Sequence, residues 1–179
     1  TYYPIAREES IQNAINMLYE AKMPLVLIGA GANRRCIGSA MKDFIDKLGI
    51  PFFMTQMGKG VVSEFHPLYL GTAALSDTDY LHCAIDRADL IINVGHDIIE
   101  KPPFFMKEGG TKVIHINFSP SNVDATYFPQ LDVTGDIARN LVSLTELAQK
   151  QEHWDFTYFM RVKDESQEHI VKYFKDERF

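Results

Sequence analysis

The sequence has few cysteines, no long apolar run and no concentration of positive charge. Its two cysteines, Cys36 and Cys83, are too few for a disulfide framework, so a reducing, cytoplasmic environment is expected. No apolar run approaches the ~20 residues of a membrane span, and the first ten residues contain no hydrophobic stretch, so no signal peptide is expected. The net charge is −6, and the longest basic cluster is Arg34-Arg35. These absences argue against a disulfide scaffold, a membrane partner and a nucleic-acid partner.

Two alternating periodicities fill the first 150 residues. Apolar residues recur at helical spacing over about 7–21, 37–48, 80–88 and 137–148. Between them lie short apolar runs typical of buried strands: PLVLIG, PFFMT, LYLGT, DLIINVG, KVIHINF and LDVTG. Because these runs are apolar throughout, they fit a parallel sheet covered on both sides. The pattern predicts a doubly wound, Rossmann-like α/β domain with a six-stranded parallel sheet and helices on both faces.

The character of the chain changes after residue 150. Residues 151–179 are charged and aromatic, with a weak helical stripe at Ile170, Val171 and Phe174. We interpret this segment as a linker or an arm that packs on another domain.

Glycine recurs in five of the six loops that follow the predicted strands. Ligands of open parallel sheets bind outside the carboxyl ends of the strands, where glycine lets the backbone approach closely. Any strand-to-helix turn also favours glycine, so a nucleotide-shaped groove and a set of ordinary turns are both compatible with this pattern.

The turn after the first strand fails two tests for binding a dinucleotide. It has Gly29 and Gly31, but Arg34 stands where the third glycine of G-x-G-x-x-G belongs. The second strand ends Met54-Thr55-Gln56, without the acidic residue that contacts a ribose. No P-loop motif occurs either. Whether the turn holds a phosphate or forms only a tight corner stays open at this stage.

Other catalytic patterns are weak, and no catalytic or metal-binding residue is assigned. The six histidines show no metal-ligand spacing. His115 lies inside a strand, as a hydrogen-bonded core histidine would. His96-Asp97 lies at a strand end, but an aspartate there commonly binds loop N–H groups. Each cysteine is expected to be a buried, inert thiol.

The ordered motifs resemble one family. PLVLIGAGA, GIPFFMTQMGKGVVSEFHPLYLGT, ADLIINVGHD, TKVIHINFSPSNVD and LDVTGDI are similar to the central domain of thiamine-diphosphate-dependent enzymes. The resemblance covers residues 5–149 and is closest to the catabolic, flavin-free acetolactate synthases. It implies a central domain at 1–150 and, at 151–179, a linker toward a missing thiamine-binding domain.

The resemblance also implies a function for a longer protein. The full enzyme would be a transferase that condenses two pyruvates to 2-acetolactate and CO₂. Thiamine diphosphate and Mg²⁺ would be bound by the missing N- and C-terminal domains of the same chain. The full-length protein would be a homo-oligomer, and this chain alone would be inactive.

In flavin-binding relatives, the cofactor touches loops that have matches in this chain. The matching positions are Gly29, Ala30, Gly31, Thr55, Gln56, Met57, Gly71, Thr72, Asn117, Phe118, Asp136 and Ile137. Two departures count against FAD: no arginine matches the one that packs on the flavin, and Asn117 replaces the family's carboxylate. FAD is therefore not expected, whereas ADP stays open, with Arg34 and Arg35 available to attract a phosphate.

Two alternative interpretations remain. The chain could be the same domain from another 2-oxo-acid decarboxylase or oxidase, or a stand-alone FAD- or ADP-binding module.

Overall fold

The computed structural model describes residues 4–34, 36–73, 80–96, 100, 110–123 and 127–175. These residues contain six strands and five α-helices, with a short 3-10 turn at Ala30–Ala32. The strands are β1 (Pro24–Ile28), β2 (Phe52–Thr55), β3 (Tyr69–Ala73), β4 (Leu90–Val94), β5 (Lys112–Asn117) and β6 (Leu131–Thr134). The helices are α1 (Glu8–Glu20), α2 (Gly38–Leu48), α3 (Tyr80–Arg87), α4 (Ile137–Leu147) and α5 (Thr157–Lys175).

The six strands form one parallel sheet in the order β3-β2-β1-β4-β5-β6. Strand β1 pairs with β2 on one side and with β4 on the other, both in parallel. The chain therefore reverses its direction of winding between β1 and β4, which makes this point the topological switch of a doubly wound sheet. The predicted six-stranded parallel sheet is confirmed.

Alternate residues of each strand supply two separate apolar cores. Val26 and Ile28 of β1 pack in a core with residues of α1, α2 and α4. Leu25 and Leu27 point to the opposite face, into a core that includes residues of α3 and α5. Successive side chains of a strand point to opposite faces, so an apolar run of five residues fills both cores. Helices on both faces are thus confirmed.

Local sequence accounts for the helix ends nearest the strands. Helix α2 ends at Gly49, whose φ of 68° is left-handed and whose N–H binds the carbonyl of Ile45, as expected for a glycine at this position. Helix α4 begins after Asp136, whose carboxylate accepts a hydrogen bond from the N–H of Arg139 at 3.0 Å.

The segment after residue 150 packs on this same domain. Phe159 and Val162 of α5 lie in the core that also contains Leu81 and Ile85 of α3. Before the helix, the indole N–H of Trp154 donates to the carbonyl of Leu18 at 3.1 Å. The side chains of 169–175, which include the predicted stripe, lie outside the described part. Whether 151–179 leads into a further domain stays a prediction.

No helix in the described part of the chain is both long and apolar enough to span a membrane.

Candidate functional site

The loop after β1 and the loop after β4 are hydrogen-bonded to each other at the carboxyl edge of the sheet. The N–H of Gly29 donates to the carbonyl of Val94 at 2.8 Å, and the N–H of Gly31 donates to the carbonyl of Gly95 at 2.7 Å. Two backbone donors of the glycine turn are therefore already used by the neighbouring loop.

The glycines at this contact are needed for close approach of backbone to backbone. A β-carbon on Gly31 would lie 2.9 Å from the carbonyl oxygen of Gly95. A β-carbon on Gly95, whose φ is 72°, would lie 2.2 Å from the N atom of Ala32. Neither distance is tolerated, so the turn forms a tight corner against the loop after β4.

The loop after β2 closes on the same turn. The side-chain amide of Asn33 donates to the carbonyls of Met57 and Lys59 at 3.0 and 3.3 Å. Gly58 lies so near the end of β1 that a β-carbon on it would be 2.2 Å from the carbonyl oxygen of Ile28. The structure thus brings the predicted positions at 29–31 and 55–57 together.

Glu100 is the residue of this site that the sequence analysis missed. Its Oε1 accepts hydrogen bonds from the N–H of Ala30, at 3.2 Å, and from the hydroxyl of Thr55. Its Oε2 lies 4.0 Å from Nδ1 of His96, and its side chain is only 7% exposed. The pattern VGHDIIEKPP contains Glu100 five residues after Gly95, but local spacing does not reveal that its carboxylate reaches the glycine turn.

At the end of β5, the side-chain amide of Asn117 is engaged within the protein. Its Nδ2 donates to the carbonyl of His96 at 2.7 Å, and its Oδ1 accepts from the N–H of Phe118 at 2.8 Å. The guanidinium of Arg34 lies over the ring of Phe118, 4.4 Å from its centre. Arg34 is thus packed on an aromatic ring, whereas Arg35 lies outside the described residues.

The other four predicted positions serve the fold. Asp136 caps α4, and Ile137 is fully buried in the first core. Gly71 and Thr72 lie within β3 beside Phe53 and Met54 of β2, before the carboxyl end of the strand. The contacts of these four residues contribute to helix capping, core packing and strand pairing.

His115 is a buried, hydrogen-bonded core histidine, as expected. It is 2% exposed, and its Nδ1 lies 2.7 Å from the hydroxyl of Tyr127. Its Nε2 lies 3.3 Å from the carbonyl of Ser119. We therefore assign the proton to Nε2, so that Nδ1 accepts a hydrogen bond from the hydroxyl of Tyr127. Burial lowers the pKa of His115, and the negative charge of Asp132 opposes that shift. Burial also raises the pKa of Tyr127, whose hydroxyl accepts from Asn93 at 3.0 Å.

The remaining candidates from the sequence are the His96-Asp97 pair and the two cysteines. The ring of His96 stacks on Tyr127 with centres 4.5 Å apart, while Asp97 lies outside the described residues. Cys36 and Cys83 are both exposed, so the expectation of buried thiols is wrong. Cys83 lies on α3 between the inward-facing Leu81 and Ala84, on the face that helical periodicity turns outward.

No magnesium-diphosphate site is assigned among the described residues. They include no group of three or more His, Cys, Asp or Glu side chains placed to hold a metal ion. The Gly135-Asp136 pair is followed by buried Ile137, and its carboxylate caps a helix.

A parallel, doubly wound sheet with a glycine turn at the switch point is an architecture that many nucleotide-binding domains share. Residues 11–145 match the family described as the central domain of thiamine pyrophosphate enzymes. The chain belongs to this family, as the motif order indicated.

Relatives of known name support this assignment. The chain is 30% identical to the acetolactate synthase large subunit of Cyanidium caldarium over 138 residues, 76% of this chain and 23% of that protein. It is 28% identical to the acetolactate synthase of Bacillus subtilis (strain 168) over 149 residues, 82% of this chain and 26% of that protein. It is 24% identical to the glyoxylate carboligase of Escherichia coli O157:H7 over 154 residues, 84% of this chain and 26% of that protein. The chain spans about a quarter of the length of these relatives.

Proposed function

We propose that this chain is the central domain of an acetolactate synthase, a transferase that joins two pyruvates to give 2-acetolactate and CO₂. The observation that carries this proposal is the similarity to acetolactate synthases over three quarters or more of the chain. Thiamine diphosphate supplies a nucleophilic ring carbon to such enzymes when it is bound. The cofactor and Mg²⁺ would be held by other domains of the longer chain, because residues 11–145 match the central domain of the family.

The central domain itself would be a rigid packing unit. Its loops at the switch point are joined to one another by the hydrogen bonds of Gly29, Gly31 and Asn33. Within this proposal the whole protein is a cytoplasmic homo-oligomer, and the isolated 179-residue chain has no activity. Residues 151–179 would continue from the packed helix α5 toward the thiamine-binding domain.

We propose further that the groove at the switch point holds no flavin. The amide of Asn117, which replaces a carboxylate in the family pattern, is turned to the carbonyl of His96. The guanidinium of Arg34 is stacked on the ring of Phe118. A nucleoside diphosphate such as ADP is the alternative ligand for the positions around Gly29–Gly31 and Thr55–Met57, and ADP titrations distinguish an occupied groove from an empty one.

A second candidate substrate is glyoxylate. The similarity to a glyoxylate carboligase extends over 84% of the chain. In this proposal, the residues that select the 2-oxo acid lie outside the central domain. A stand-alone FAD- or ADP-binding module has less support, because the relatives are about four times longer than the matched segment.

The activity of the longer protein tests the proposal. The protein that contains this chain is incubated with thiamine diphosphate, Mg²⁺ and either pyruvate or glyoxylate, and the products are identified by NMR. We expect 2-acetolactate from pyruvate and no product from the 179-residue chain alone. Product from glyoxylate only would replace acetolactate synthase by the second candidate. Turnover by the isolated chain would contradict its assignment as a non-catalytic central domain.

A further inference from the structure

The carboxylate of Glu100 lies on the glycine turn, at the place where a bound anion would lie. The carboxylate of Glu100 accepts from the N–H of Ala30 and from the hydroxyl of Thr55, with Nδ1 of His96 4.0 Å away. These groups come from the carboxyl ends of β1, β2 and β4, three neighbouring strands of the sheet. A backbone N–H, a hydroxyl and an imidazole are groups that bind phosphate as readily as carboxylate.

The carboxylate also fills the space that a ligand would need over the turn. A β-carbon placed on Gly29 would lie 2.7 Å from Oε2 of Glu100, so the carboxylate rests directly on the glycine. Its side chain is 7% exposed, which means that the carboxylate is enclosed by protein. A phosphate could reach the N–H of Ala30 only by displacing Glu100 or by lying beside its charge.

We infer that Glu100 is a specificity-determining residue that excludes phosphate-bearing ligands from the glycine turn. The excluded class is nucleoside diphosphates, including the diphosphate of a dinucleotide such as FAD. Two negative groups cannot share one amide and one hydroxyl, and at this degree of burial water screens their repulsion poorly. This inference rests on the proposed flavin-free function and gives it a physical cause.

Binding measurements on Glu100→Gln and Glu100→Ala test the inference. The probes are ADP, inorganic pyrophosphate and adenosine, each titrated into the 179-residue chain by calorimetry. Glu20→Gln is the matched control, because Glu20 is exposed at the end of α1 and loses the same charge. Like-charge contacts shift binding constants by a decade or more, so we expect ADP and pyrophosphate to bind at least about tenfold tighter to the Glu100 variants. Adenosine, which has no phosphate, should bind all four proteins equally.

Every outcome bears on the inference. It is overturned if wild type and the Glu100 variants bind ADP equally, whether tightly or not at all. It is also overturned if adenosine gains as much as ADP, or if both variants are unfolded by circular dichroism, since the fold itself would then require the carboxylate. A separate titration of wild type with FAD examines the proposed function: micromolar FAD binding would contradict the flavin-free groove. ADP binding to wild type that is as tight as to the Glu100 variants, without FAD binding, would overturn only the role of Glu100.

Discussion

At the scale of single residues, the turn after β1 depends on glycines, because a β-carbon at these positions would overlap the neighbouring loop. Gly31 and Gly95 allow two loop backbones to touch, and Gly95 also has a left-handed φ of 72°. Asp136 and Asn117 use their side chains on nearby backbone groups. The polar residues at this edge therefore hold loops and helix ends in position, and Glu100 adds a charge to the turn itself.

Substituting Gly95 by alanine tests the contact between the two loops. We expect Gly95→Ala to lower the free energy of unfolding by about 3 kcal/mol or more, because a left-handed backbone and a backbone overlap both oppose a β-carbon. The measurement is the urea midpoint followed by circular dichroism.

Gly60→Ala is the matched control for that substitution. Gly60 has a φ of 89°, but a β-carbon on it would meet no atom within 4 Å. The control should lose only about 1–2 kcal/mol, from the backbone conformation alone. Equal losses for the two variants would show that the contact of Gly95 with Ala32 contributes nothing.

At the scale of secondary structure, α5 completes the face of the sheet that α3 leaves partly uncovered. Phe159 is fully buried there with Phe53 of β2 and Ile85 of α3. The ammonium of Lys163 donates to the carbonyl of Pro67 at 2.6 Å, which ties the helix to the connection before β3. Helix α5 has only weak apolar periodicity, but it contributes to the core because Phe159 and Val162 face the sheet.

Truncating Phe159 tests how much α5 stabilises the domain. Phe159→Ala should lower the free energy of unfolding by about 3–5 kcal/mol, the usual loss for a buried phenylalanine. The control is Phe65→Ala: Phe65 is 97% exposed, so this change should stay within about 0.5 kcal/mol. Chemical unfolding of both variants gives the values. A loss for Phe159→Ala as small as that of the control would mean that α5 is not part of the cooperative unit.

At the scale of the whole molecule, a buried polar chain links strands β4 and β5 to the connection before β6. Asn93 donates to the hydroxyl of Tyr127, which donates to His115, which donates to the carbonyl of Ser119. These three hydrogen bonds form together only while the imidazole is neutral, because Nδ1 must accept from Tyr127. Global stability is therefore linked to the protonation of one histidine.

The pH dependence of stability tests this linkage. The folded pKa of His115 is lowered below its usual value, first by burial, so the unfolded chain binds the extra proton more readily. Its stabilising effect is complete above the unfolded pKa of about 6.5 and is lost as pH falls toward the folded pKa. The urea midpoint of the wild type should decrease as the pH is lowered from about 7 to about 5. The same decrease should be smaller in His115→Asn. An unchanged slope in His115→Asn would contradict the linkage.

Most of the fold could be predicted because its pattern is local. The six apolar runs predict the six strands, and Gly49 predicts the end of α2. Twelve candidate positions followed from the resemblance, and the structure brings together those after β1 and β2. The exposure of Cys36 and Cys83 contradicts the expectation of buried thiols, although helical periodicity already places Cys83 on the face of α3 opposite Leu81 and Ala84.

The sequence by itself determined the strand and helix order, the parallel sheet and the family, because each is recorded in short-range periodicity and in the spacing of motifs. Only the tertiary structure decided what lies on the glycine turn. Glu100 is 70 residues from Ala30 along the chain, yet the two are joined by a hydrogen bond. Parallel strands bring distant loops to one edge, and the energy of a buried carboxylate depends on donors that only this arrangement supplies.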